Sequence, residues 1–168
     1  MRRNLLILAL AALAFQIWLT CDALFGAQRL PDRIPIHFDL HGQPNGWGSP
    51  ASLPLLPAIA VGVFLLLTVI ARFPETFNYP VAVTDANRQR LQALTMDLLA
   101  WMRMEVSCLF AAIQWISIQA AHHPQGGFSP RFGGIVLTIL ALLFCTIGWF
   151  IVAIFRAQGS EDATESAL

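Results

Sequence analysis

The sequence has no lysine, and charged side chains of either sign make up only 12% of it. Its ten basic residues, all arginine, balance ten carboxylates to a net charge of zero. Without a basic excess there is no electrostatic field to recruit nucleic acid, so nucleic-acid binding is excluded. Soluble domains carry about 25% charged residues, and a chain with half of that cannot clothe an ordinary water-facing surface. The three cysteines, Cys21, Cys108 and Cys145, stand singly with no CxxC or other paired spacing, which reads as packing and not as redox or metal chemistry. Also missing are a nucleophile elbow, a glycine-rich phosphate loop and a helical zinc-protease motif, so neither an enzyme nor a cofactor is expected. No internal repeat or domain boundary is visible.

What is present is oil, at 57% hydrophobic residues gathered into long runs. A bilayer core of ~30 Å needs about 20 apolar helical residues. Leu5–Leu24, Ala51–Ala71, Leu98–Ala121 and Ile135–Phe155 meet that requirement. The expectation is an all-α integral membrane protein with four transmembrane helices and a structured outer loop between spans one and two. Residues 1–156 would form a single four-helix membrane domain, and 157–168 a disordered acidic tail. The opening MRRNLLILALAALAF has the flank and apolar run of a signal peptide, but the run continues through Leu19 and reads as an uncleaved first span.

Arginine placement orients the chain. Arg2, Arg3, Arg72, Arg88, Arg90, Arg103 and Arg156 fall on one side, against Arg29, Arg33 and Arg131 on the other. The richer side is cytoplasmic, which puts both termini in the cytoplasm and all four histidines outside.

The segment IPIHFDLHGQPNGWG then lies in the outer loop, residues 25–50. Ile34, Ile36, Phe38 and Leu40 alternate with Pro35, His37, Asp39 and His41, the period of a strand with one apolar and one polar face. Pro35 confines such a strand to an edge. QPNG suits a type I turn, Trp47 suits the membrane interface, and Ser49-Pro50 suits the start of span two. On the inner side, Thr84 or Asp85 can cap a helix that runs unbroken to Ala121, longer than a membrane needs. Its amphipathic start would lie partly on the inner surface, with Arg103 snorkelling.

On an extended strand His37, Asp39 and His41 point one way, about 6.6–6.8 Å apart per step. With His122 and His123 they could hold zinc or a similar ion. The preferred reading is that His37 and Asp39 hydrogen-bond the loop's own backbone and hold its turn. In span three, Ser107, Gln114, Ser117 and Gln119 read as hydrogen-bonding glue between helices, with Gln16 a candidate partner. Glu105, Asp22 and Arg103 fall toward the span ends, which speaks against channel or pump chemistry. The four cytoplasmic-side arginines Arg72, Arg88, Arg90 and Arg103 read first as positive-inside anchors, with anionic lipid or a soluble partner as the alternative.

Two stretches carry a family resemblance. LPDRIPIHFDLHGQPNGWGS resembles the signature of a bacterial membrane-domain family of unknown function (domain of unknown function 1648). NYPVAVTDANRQRLQALTMDLLAWMRMEVSCLFAAIQW is similar to that family's second conserved region. Position by position the pattern falls on Leu30, Pro31, Ile34, Pro35, His37, Phe38, Gly42, Pro44, Gly46 and Trp47, then on Asn78, Tyr79, Pro80, Gln114 and Trp115. The chain has Asp39 where the family often has Asn, and Asn45 where it often has Asp. His41 lies outside the pattern. The same domain forms the N-terminal part of SdpI-like immunity membrane proteins. The resemblance therefore implies a non-enzymatic protein of the bilayer, related to immunity or sensing, whose outer loop recognises a secreted peptide or a lipid. Two alternatives stay open: a structural or accessory subunit packed against another membrane protein, and a metal-dependent membrane enzyme using the outer histidines.

Overall fold

The computed structural model describes residues 1–39, 43–122 and 130–165. The first helix, α1 (Arg2–Phe25), grows from an uninterrupted run of Leu, Ala and Ile and stops at Gly26, whose N–H bonds the Asp22 carbonyl at 2.8 Å. A hairpin follows, with β1 at Ile34–Phe38 and β2 at Pro44–Gly48. Ser49 then caps a 3-10 turn, Pro50–Ser52, by accepting from the Ala51 N–H at 3.2 Å, and α2 runs Leu55–Ile70. After a second 3-10 turn, Pro74–Thr76, come α3 (Arg88–His122) and α4 (Pro130–Glu165).

Thr84 and Asn87 start α3 by a reciprocal pair of bonds: the Thr84 N–H donates to Asn87 Oδ1 at 2.9 Å, and the Asn87 N–H to Thr84 Oγ1 at 3.2 Å. Each satisfies a backbone donor left open at a helix start. Asn87 is buried and also donates to the Ala82 carbonyl at 3.0 Å, which fixes the approach of the chain.

Three helical segments, Arg2–Phe25, Pro50–Ile70 and Gly133–Ala157, are long and apolar enough to cross a membrane. The third expected span is not among them. It lies in α3, which carries Arg103 and Glu105 in its middle and packs against α1, α2 and α4 together. A helix sheltered by others can hold polar side chains that a lipid-facing helix cannot.

Three hydrogen bonds spread along α1 and α3 join residues 94 or 95 apart, Arg2 to Asp97, Gln16 to the Phe110 carbonyl, and Gln114 to Thr20, while the long Arg2 side chain also reaches one turn back to the Ala93 carbonyl. A constant offset means two parallel helices in step. By contrast α2 runs antiparallel to α3, since Thr68 meets Arg103 while the Leu53 carbonyl meets Gln114. α4 is antiparallel too, with Thr146 against Glu105 and Ile154 in one cluster with Leu91.

Three expectations need correction. The chain is mostly helical but not all-α, because the loop after α1 pairs with itself: a stretch with Pro second in one strand and first in the other still forms a ladder when both strands are edges. QPNG is not the turn; Pro44, Asn45 and Gly46 belong to β2, drawn into the ladder by pairing with β1. Finally, α4 continues to Glu165, so most of the stretch read as a disordered tail is helical. A single interior glycine, Gly159, costs only ~1 kcal/mol and does not end a long helix.

Candidate functional site

β1 and β2 pair antiparallel as Ile34 with Gly48, Pro35 with Trp47, His37 with Gly46 and Phe38 with Pro44. The register slips twice, leaving Ile36 unpaired on β1 and Asn45 unpaired on β2. A bulge re-aims the side chains around it, and the result departs from simple alternation. Ile34 and Pro35 are both buried, while Ile36 and His37 are both exposed. Ile34, at 1% exposure, sits in a cluster with Leu19, Ala23, Leu53, Ile118 and Ala121, so the base of β1 is plugged into the end of the helix bundle. Leu30 and Trp115 pack around that cluster. Ile36, 55% exposed, and Trp47, 40% exposed, stand free of it.

His37 turns across the ladder to Asn45, its Nδ1 meeting the amide oxygen Oδ1. Asp39 closes the connection between strands: its Oδ1 accepts the Gln43 N–H at 2.8 Å, and its own N–H donates to the Gln43 carbonyl at 2.9 Å. Asp39 therefore holds the loop backbone as expected, whereas the partner of His37 is a side chain that spacing did not single out. The strand ends at Phe38, and Asp39 lies just beyond it at the connection. His41, Gly42 and His123 lie outside the described residues, and His122 ends α3. Among the described residues no three of His, Cys, Asp and Glu come together in a metal-binding group.

His37 and Asn45 are both exposed, so water can replace either partner. We expect His37→Ala to cost under ~1 kcal/mol and His37→Gln less still, read from thermal unfolding in detergent. A loss of several kcal/mol with Ala, recovered by Gln, would show that this contact carries the hairpin.

Beneath the hairpin is a groove of about 310 Å³. Pro35 and Ile36 form one wall, Leu55, Leu56 and Ile59 of α2 another, and Ile113 and Gln114 of α3 the floor. Gln114 is 1% exposed, and its Nε2 donates to Thr20 Oγ1 at 2.9 Å and to the Leu53 carbonyl at 3.4 Å. Thr20 in turn donates to the Gln16 carbonyl at 2.9 Å, and Gln16 Nε2 to the Phe110 carbonyl at 3.3 Å. This chain of bonds ties α1, α2 and α3 together directly under the groove. Ser107 and Ser117, expected to join it, bond instead to carbonyls of their own helix, Arg103 and Ile113.

The residues of the two motifs are thus divided. The structure gathers Leu30, Ile34, Pro35, Gln114 and Trp115 at one end of the bundle. Pro31 is exposed beside them, and Phe38 and Pro44, paired at the far end of the ladder, are half-buried. Asn78, Tyr79 and Pro80 lie at the opposite end. There Tyr79 packs against Val81, Leu91, Ile154 and Ala157, and its hydroxyl accepts from Thr95 at 3.4 Å. Asn78 and Pro80 are exposed on either side of it.

Two ionisable groups fall elsewhere than expected. In step with α1, Glu105 and Arg103 lie beside the middle of that helix and not at a span end. Arg103 Nη1 donates to Thr68 Oγ1 at 3.3 Å, and Glu105 Oε1 accepts from Thr146 at 2.7 Å. Among the described residues, Arg103 Nε and Glu105 Oε2 are buried without a partner, as is Gln16 Oε1. The two residues face different neighbours, α2 and α4, so they do not make one site. The sequence could not reveal this depth, because it depends on the offset between α1 and α3.

A protein of Archaeoglobus fulgidus, named only as uncharacterized, is 34% identical over 98 residues that cover 54% of this chain and 49% of that protein. The chain spans about half the length of this curated relative. No solved structure matches the chain. Residues 5–61, which hold most of α1, the hairpin and the first part of α2, match the family described as "Domain of unknown function (DUF1648)", the domain to which the first motif points; the second motif, residues 78–115, lies outside the match.

Proposed function

We propose that this is a four-span, non-enzymatic protein of the bacterial cytoplasmic membrane, whose outer hairpin and the groove beneath it recognise an apolar or amphipathic peptide. The observation that carries the reading is the groove itself: an apolar slot closed below by buried Gln114 and rimmed by exposed Ile36. The hairpin is anchored through Ile34 yet leaves Ile36 and Trp47 outside the core, an arrangement suited to contact with something else. The resemblance to the N-terminal part of SdpI-like immunity membrane proteins supports a secreted toxic peptide as that partner.

Four spans are supported by the pairing of α1 and α3 in step: if α1 crosses, residues 97–119 of α3 occupy the same slab. In this frame the hairpin faces the periplasm and both termini the cytoplasm. A cysteine at Gln43 is expected to react with an impermeant reagent from outside, and one at Gln158 only after permeabilisation. The reverse pattern would overturn the orientation and the reading with it.

For recognition, cells carrying the wild-type gene should survive challenge by a secreted toxic peptide that kills cells carrying Ile36→Asp, at equal membrane abundance. Photocrosslinking from position 36 should capture that peptide. Crosslinks to lipid would favour an acyl chain as the occupant. Crosslinks to another integral protein, with no phenotype on challenge, would favour an accessory subunit. The specific observation behind that second reading is α4, only 6% of whose apolar window is buried within the chain.

A further inference from the structure

At the end of the bundle opposite the hairpin, α3 and α4 leave a groove of about 450 Å³ between them, lined by Arg90, Leu94, Trp149, Val152, Ala153 and Arg156. We propose that this groove binds one anionic phospholipid, its headgroup phosphate held between Arg90 and Arg156 and an acyl chain laid along the apolar wall.

The placement comes from packing. Ile154 of α4 packs with Leu91 of α3, which brings Arg90 and Arg156 to one level, both exposed. Arg90 precedes Asp97 by seven residues, so it lies roughly 10 Å beyond the point where α1 begins at Arg2. That is headgroup depth if α1 spans the core. Two guanidinium groups there present planar, always-charged donor forks, the geometry that grips a phosphate. Trp149, 62% exposed, is the residue type that settles at the interface.

A free anion would need only the arginines. The rest of the groove points to a chain. Its wall continues, through the shared Leu94 and Trp149, into a second cavity of about 470 Å³ lined by Trp101, Thr146 and Phe150. Asp97 at that second cavity is paired with Arg2 at 2.5 Å, which leaves the acid neutralised beside the chain path. A zwitterionic lipid brings an ammonium group against Arg90 and Arg156, whereas phosphatidylglycerol brings a bare negative charge. Basic pockets between membrane helices bind anionic headgroups on this principle.

The test uses the full chain in mild detergent, with thermal unfolding followed on addition of phosphatidylglycerol, phosphatidylcholine of the same acyl chains, or inorganic phosphate. Phosphatidylglycerol is expected to raise the midpoint by several degrees, and the other two to leave it within a degree. Arg156→Gln and, separately, Arg90→Gln should each remove at least half of that rise; using both guards against one variant failing to fold. Arg72→Gln, outside the groove, should keep it. Ala153→Phe, which fills the groove but spares both charges, should also lose it. Equal shifts from both lipids, an equal loss in Arg72→Gln, or an equal shift from inorganic phosphate would each overturn the proposal.

Discussion

Gly46→Val is expected to remove about 1–3 kcal/mol of stability and most of the folded yield in detergent. A Cβ built at Gly46 lies 2.8 Å from His37 Cβ, closer than two such carbons ever approach. The conflict is with the root of a side chain on the paired strand, so no rotamer change relieves it; the ladder must open. The reason for glycine here is therefore room between strands and not a turn conformation. Gly48 is less strict, since its Cβ would meet the flexible tip of Ile36 at 3.0 Å. Gly62→Ala is the control: nothing lies within 4 Å of its Cβ, and alanine should be neutral or stabilise α2 by up to about 1 kcal/mol. Should Gly46→Val unfold at the wild-type midpoint, the hairpin is not packed as described, and the groove under it loses a wall.

Gln114→Leu is the second large effect. It keeps the volume but removes the one donor that joins Thr20 of α1 and the Leu53 carbonyl to α3. A carbonyl left bare in a dry interior costs roughly 1–3 kcal/mol. Interhelical bonds within membranes are weaker on average, about 0.6 and at most ~1.7 kcal/mol. The expected loss is thus about 1–2 kcal/mol, and Thr20→Val should couple to it. In a double-mutant cycle the pair should show an interaction of at least ~0.5 kcal/mol; strict additivity would mean the bond does not form. Because Gln114 is also the floor of the groove, its loss should weaken recognition more than stability alone predicts.

Much of the architecture can be read along the chain. Each apolar run of about 20 residues has few ways to satisfy its backbone in lipid other than a helix. Ser49-Pro50 and Thr84 mark starts, through bonds to backbone groups a few residues away. Pro35 and the alternation from Ile34 to Phe38 likewise announce an extended, edge-like segment after the first helix. All of these are local features, set by neighbours within a turn or a hairpin.

What only the tertiary structure decided is how those elements meet. The polar residues of α3, Ser107, Gln114 and Ser117 near one stripe and Gln119 near another, stood on equal terms, yet Gln114 is the one that reaches Thr20 and Leu53, because the offset between α1 and α3 carries it there. The same offset moved Glu105 from an expected span end to mid-helix, and two unpaired residues in the ladder turned Ile36 outward where simple alternation put it in. Spacing along a chain fixes which side chains share a face; it does not fix which face of a distant element they meet. That choice belongs to the packing of the whole bundle, which brings together side chains 94 residues apart.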